Sequence, residues 1–145
     1  MLSNTSRYAI RAMIYLAIHA GGNKKIGIKK IAKDLDIPSP FLGKILQTFA
    51  KQKILTSTKG PNGGFGLPES TLQVSLMSII KIIDGDDLFN SCLISNKSCS
   101  QVDREKCTLH EHYESIREDM KRMFSEHTIG NLAMEFTDSG KKLEL

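Results

Sequence analysis

All three cysteines of the chain fall between Cys92 and Cys107, in the run CLISNKSCSQVDREKCTLHEH that ends at His112 and also holds two of the four histidines. Thiolates at that density are the ligands of a metal or cluster, or the reacting groups of a redox switch. The spacing is C-x6-C-x7-C-x2-H when His110 is taken as the fourth donor. A zinc finger or ribbon would show close pairs such as C-x2-C, which are missing, whereas an iron–sulfur cluster accepts wider spacing because a loop wraps around a larger object. Cys107 precedes an expected helix, whose dipole favours the thiolate, and His110 stands one turn on. At about 100° per residue His112 points away from His110, so a single histidine serves the site. The order of fit is iron–sulfur, zinc, thiol redox switch and unliganded cysteines.

The elements that must carry this stretch are helical. Tyr8–Ala20 reads as a mostly buried first helix ended by Gly21 and Gly22, with His19 in a core or capping role near its C-terminus. Ile28, Ile31, Ala32 and Leu35 repeat at i, i+3, i+4, i+7 and give a second, short helix with Lys29, Lys30 and Lys33 outside. Ser39 and Pro40 open a third, with Ser39 as cap and Pro40 as first helical residue. Phe41, Leu42, Ile45, Leu46 and Phe49 are its expected buried stripe, and Gly43, Lys44, Gln47, Thr48 and Lys51 its outer face. Two short helices across a tight turn match a helix-turn-helix, which sets the second helix in a major groove.

A hairpin should follow, with strands at 54–58 and 65–67 around Lys59-Gly60-Pro61-Asn62-Gly63-Gly64, and in that position it is a wing. Leu76, Ile79, Ile80 and Ile83 mark a fourth helix capped by Ser75 and ended by Gly85, after which Asp86, Asp87 and Leu88 lead into the polar cysteine loop. Thr108 and Glu111 have the spacing of a capping box that starts a long helix to about Ser125. Along it Leu109, Tyr113, Ile116, Met120 and Met123 form a 4-3 stripe suited to a dimer seam, while Glu114, Arg117, Glu118, Asp119, Lys121 and Arg122 occupy the other faces. Thr128–Phe136 reads as a further helix crossing the partner, and 137–145 as a frayed polar tail.

Charge separates these parts. Residues 1–60 carry eleven Lys or Arg against Asp34 and Asp36, a balance of +9, and the other 85 residues carry −5, together the net +4 of the chain. Such a basic half has the footprint of a nucleic-acid binder, since neutralising phosphates releases counterions. A chain of 145 residues is about one domain and buries roughly two-thirds of its unfolded surface, so a metal would be functional rather than needed for folding. There is neither an apolar run of about 18 residues nor a signal-peptide pattern, so no membrane partner and a cytoplasmic location are expected. In that compartment an odd cysteine count argues against a disulfide framework. No nucleophile–base pair or cofactor fingerprint supports an enzyme.

The segments RYAIRAMIYLA, IKKIAKDLDIPSPFLGKILQTFAKQKIL, TSTKGPNGGFGL and IIDG, with the three-cysteine loop, together resemble the Rrf family of bacterial winged-helix regulators, the IscR, NsrR and CymR type, over residues 1–136. The resemblance implies a homodimeric transcription factor, repressor or activator, whose Cys92, Cys99 and Cys107 ligate an iron–sulfur cluster, with His110 at the position that completes a 2Fe-2S site in the IscR branch. Arg7 stands where the nitric-oxide-sensing branch has an acidic residue, which favours the IscR-like cluster, 2Fe-2S over 4Fe-4S, with zinc as alternative. Six and seven residues separate the cysteines where the family has five. Gly43 replaces a base-reading glutamate and Lys59 a wing arginine, so the family's operator sequence does not transfer.

The expected architecture is therefore mainly α with a small β-hairpin wing. A winged helix-turn-helix domain at 1–85 is followed by a cluster-binding loop at 86–107, a dimerisation helix and crossing segment at 108–136, and a tail at 137–145. Ser39, Lys44, Gln47 and Thr48 would face bases of a palindromic operator. Lys51, Lys59 and Asn62 would touch backbone or minor groove, with Pro40 and Gly60 shaping the chain beside them. The signal would be redox state, iron or nitric oxide. The alternative function is a zinc or thiol-redox protein whose basic half meets an acidic protein partner.

Overall fold

The computed structural model describes residues 2–95, 97–98, 108–141 and 143. It is mainly helical with one two-stranded antiparallel hairpin. Helix α1 (Asn4–His19) is its axis. Ala9, Ala12, Met13 and Leu16 are fully buried, which follows from a helix apolar nearly all round. It starts four residues before Tyr8 because Ser3 is its N-cap: the Ser3 hydroxyl accepts from Ser6 N at 3.0 Å and donates to Asp84 at 2.5 Å. His19 is exposed on the last turn with its ring 4.5 Å from that of Tyr15, so it is not a core residue.

Helices α2 (Ile28–Leu35) and α3 (Ser39–Lys51) pack on each other and on α1. Arg11 of α1 donates to Leu35 O at 2.6 Å, satisfying a carbonyl at the C-terminus of α2 and fixing that helix to the axis. The turn between them uses Asp36 at φ 51°. Pro38, not Ser39, is the N-cap of α3, and no side chain caps it; Ser39 and Pro40 occupy its first turn, where a missing N–H costs nothing. Leu42, Ile45, Leu46 and Phe49 are buried as the periodicity requires, but Phe41 is 62% exposed, because one residue off the stripe is a rotation of about 100°. Gly43 does not belong to the outer face either. A Cβ there would lie 3.2 Å from Ile28 Cδ1, so its smallness lets α2 and α3 approach.

Strand β1 (Thr56–Thr58) pairs with β2 (Gly64–Gly66) in the register Thr56–Gly66, Ser57–Phe65 and Thr58–Gly64. Ile54 and Leu55, expected in the first strand, lie outside it: both amides bond Phe49 O as the chain leaves α3, and Leu55 enters the core. The wing is anchored by Ile26, which exchanges two 2.9 Å backbone bonds with Phe65. A Cβ on Gly64 (φ +153°) would fall 2.4 Å from Ile26 O, so only glycine fits this junction.

A 3-10 turn at Glu69–Gln73, not anticipated from the sequence, leads to α4 (Leu76–Asp84). Ser75 caps α4 by accepting from Ser78 N, and Gly85 ends it at φ 76°, both as expected. A short α5 (Asp87–Asn90) begins the loop region. Helix α6 (His110–Glu126) starts later than the Thr108–Glu111 pattern implies: Leu109 is its N-cap and no side-chain cap forms, because Thr108 sits in the preceding turn. Helix α7 (Ile129–Asp138) is capped by Thr128 and packs on α1 of its own chain. It runs past Phe136, and Leu143 packs against the core, so the described part of the expected tail is in part ordered against the body.

Candidate nucleic-acid interface and cysteine loop

Helix α3 presents Ser39, Pro40, Phe41, Lys44, Gln47 and Lys51 to solvent on one side of the helix-turn-helix. Thr48 is half-buried, and its hydroxyl donates to Lys44 O at 2.9 Å, which leaves its lone pairs as acceptors. Lys59, Gly60 and Asn62 are exposed at the tip of the wing, where Gly60 adopts φ +106° and its carbonyl accepts from Gly63 N at 3.0 Å. The structure thus puts the expected base-facing residues on the exposed side of α3 and the expected backbone-facing ones on its last turn and the wing.

Lys25 was not singled out by its sequence pattern. Its ammonium donates to Thr58 Oγ1 and so joins the α1–α2 connection to the wing. The signal available was only its place in the basic pair Lys24-Lys25; the partner lies 33 residues away.

Charge on α2 is partly organised. Asp34 accepts from Lys30 at 2.8 Å and from the Tyr15 hydroxyl at 2.5 Å. Those two bonds, Lys30 first, hold its carboxyl below the usual range. Tyr15 is shifted upward by burial, then by the hydrogen bond and negative charge of Asp34, so it stays a neutral donor.

Of the expected cluster ligands, Cys92 and His110 lie within the described residues, and Cys99 and Cys107 lie outside them. Cys92 is half-buried at the start of a tight loop in which its amide donates to Lys97 O at 3.0 Å and Ser91 bridges Ser98. The Ser91 hydroxyl donates to Asp87 O at 2.6 Å, closing the end of α5. His110 is half-buried as the first residue of α6, while His112 is exposed. Among the described residues no three Cys, His, Asp or Glu side chains gather as a metal site.

Sequence periodicity also misplaced Arg117. Placed by that pattern on a solvent face, it is 4% exposed. Its Nη2 donates to Ser91 O at 3.2 Å, its Nη1 pairs with Glu114 at 2.7 Å, and its guanidinium lies 4.6 Å over the Tyr113 ring. Phe124, also off the 4-3 stripe, meets Phe89 edge-on at 6.0 Å. Helix α6 therefore grips the start of the cysteine loop at two places, while Leu109, Ile116 and Met123 remain exposed along its other side. Met120 turns inward to the core.

Among the described residues no helix is long and apolar enough to cross a membrane. The Rrf2 family, described as iron-dependent transcriptional regulators, matches residues 2–135. An Aquifex aeolicus chain named as an HTH-type transcriptional regulator is 30% identical over 132 residues, covering 91% of this chain and 90% of that one. Two solved structures share the fold at lower identity. The Bacillus subtilis global cysteine regulator CymR superposes with a TM-score of 0.75 at 21% identity, over 93% of this chain and 97% of CymR. The T. potens IscR superposes with a TM-score of 0.74 at 17% identity, over 97% and 90%. Winged helix, exposed basic surface and family match agree: the chain belongs to the Rrf2 family of DNA-binding transcriptional regulators, a family of regulators and not of enzymes.

Proposed function

We propose that this protein is a cytoplasmic homodimer that binds a palindromic operator, with an affinity set by an iron–sulfur cluster on Cys92, Cys99, Cys107 and His110, of the 2Fe-2S kind. The observation that carries the reading is the bond from Arg117 to the carbonyl of Ser91, directly before Cys92, because it makes the position of α6 depend on the conformation of the loop. The described donors suit such a group: Cys92 is half-buried with its backbone fixed by Lys97 O, and His110 is half-buried as the first residue of α6. A buried guanidinium beside the loop complements anionic thiolate ligation. When bound, the cluster supplies a ligation and charge state that changes with redox conditions, iron supply or nitric oxide.

The protein residues do the rest. Leu109, Ile116 and Met123 recur every seven residues on the exposed side of α6 and would meet the same line of a second copy in a two-fold seam. Movement of α6 under control of the loop then changes the separation of the two reading helices, to which operator half-site spacing is sensitive. Ser39, Lys44, Gln47 and Thr48 face bases, and Lys51, Lys59 and Asn62 hold the phosphate backbone or minor groove.

Protein isolated anaerobically should be brown, and its visible absorption should vanish in Cys107→Ala. Colourless protein with one tightly held zinc per chain would replace the cluster by a zinc site and overturn the sensing part of this reading.

A further inference from the structure

Phe41 is the third residue of α3 and is 62% exposed, although its type and its place beside the buried stripe suit the core. Its neighbours on the same face are Lys44 and Thr48, at i+3 and i+7, and the first turn beside it offers Ser39 and Pro40. No carboxylate stands in α3, and Gly43, packed against Ile28, projects nothing. The benzyl group therefore stands alone as an apolar probe at the N-terminal turn of the reading helix, inside a basic surface. In a helix-turn-helix it is the N-terminal residues of the second helix that meet base edges. The major-groove edges of the base pairs are polar acceptors and donors, with one apolar exception, the C5-methyl group of thymine.

We propose that Phe41 is a specificity-determining residue that reads a thymine methyl group in each half-site. This rests on the DNA-reading part of the function proposed above and is independent of the cluster. Burying one carbon group corresponds to about a fourfold change in affinity per half-site.

The test starts from duplexes selected by the full-length protein from a random pool. Binding constants are then measured for a selected duplex and for versions in which each thymine in turn is replaced by deoxyuridine, which removes only the methyl. One thymine per half-site should weaken the wild-type protein about fourfold on replacement. Phe41→Ala should bind the thymine and deoxyuridine duplexes equally, and Phe41→Leu should keep part of the difference. A wild type insensitive at every position, or Phe41→Ala retaining the full difference, overturns the proposal while leaving DNA binding intact. Loss of cooperative melting in Phe41→Ala overturns it as well, since it would make the residue structural. If no duplex is selected and none binds, the DNA reading itself fails, and this inference with it.

Discussion

Replacing Arg117 by methionine keeps most of the buried stem and removes the guanidinium. Three described contacts are lost: the bond to Ser91 O at 3.2 Å, the Glu114 pair at 2.7 Å and the stacking on Tyr113 at 4.6 Å. A hydrogen bond from a charged donor to a carbonyl contributes about 1.5–3 kcal/mol. The Glu114 pair counts for less than about 1 kcal/mol, because the glutamate side chain is 42% exposed and screened. Methionine recovers some of the cost of burying a charge, so the net loss should be about 2–3 kcal/mol. It should fall on the attachment of the loop, and the Cys92 amide, held by Lys97 O at 3.0 Å, reports it. If that amide exchanges through local opening, its hydrogen exchange should accelerate about 30- to 150-fold in Arg117→Met. Glu114→Gln should accelerate it less than about fivefold. Exchange within about twofold of wild type in Arg117→Met would refute the idea that α6 holds the loop through this residue.

Gly64→Ala should lose about 1–3 kcal/mol in thermal or denaturant melting, since its Cβ would strike Ile26 O at 2.4 Å; Gly22→Ala, at φ +70° but in open space, should lose only about 1 kcal/mol. Equal losses would dismiss the close approach at the wing. For Asp34, a folded pKa below the unfolded one means that its contribution is complete above about pH 4 and is lost as pH falls through the folded value. Asp34→Asn should therefore flatten the acid limb of the stability profile, and an unchanged limb would show that the carboxylate is not coupled to folding. Ile116→Glu places a charge in the middle of the exposed line on α6 and should yield monomers in sedimentation; a dimer as tight as wild type would move the seam elsewhere.

The parts of the fold legible in the sequence are those fixed by neighbours in the chain. The stripe Leu42, Ile45, Leu46 and Phe49 follows from helical period alone, and α4 carries both its boundary signals locally, Ser75 starting it by bonding three residues on and Gly85 ending it at positive φ. Legibility fails where a distant partner decides. Ser3 begins α1 well before Tyr8, the first apolar residue of that helix, and its hydroxyl is oriented by Asp84, 81 positions away. Arg117 is charged and sits between stripe positions, yet a carbonyl 26 residues earlier draws it inside. Thr108 and Glu111 have the right types for a capping box, but the helix starts beyond the threonine. Phe41 shows the converse: composition favoured burial, and the rotation of one residue around α3 put it outside. For the candidate site, the exposed polar face of α3 and the wing tip were visible from residue type and turn chemistry, whereas the grip of α6 on the loop was not.

The central claim is that the state of the cysteine loop sets DNA affinity. It is tested most directly by measuring the affinity of one selected duplex for cluster-loaded and cluster-free protein at the same salt concentration, with the cluster content of each sample fixed by its visible spectrum. The account predicts clearly different affinities and a difference that disappears in Cys107→Ala. Equal affinities in the two states would contradict it.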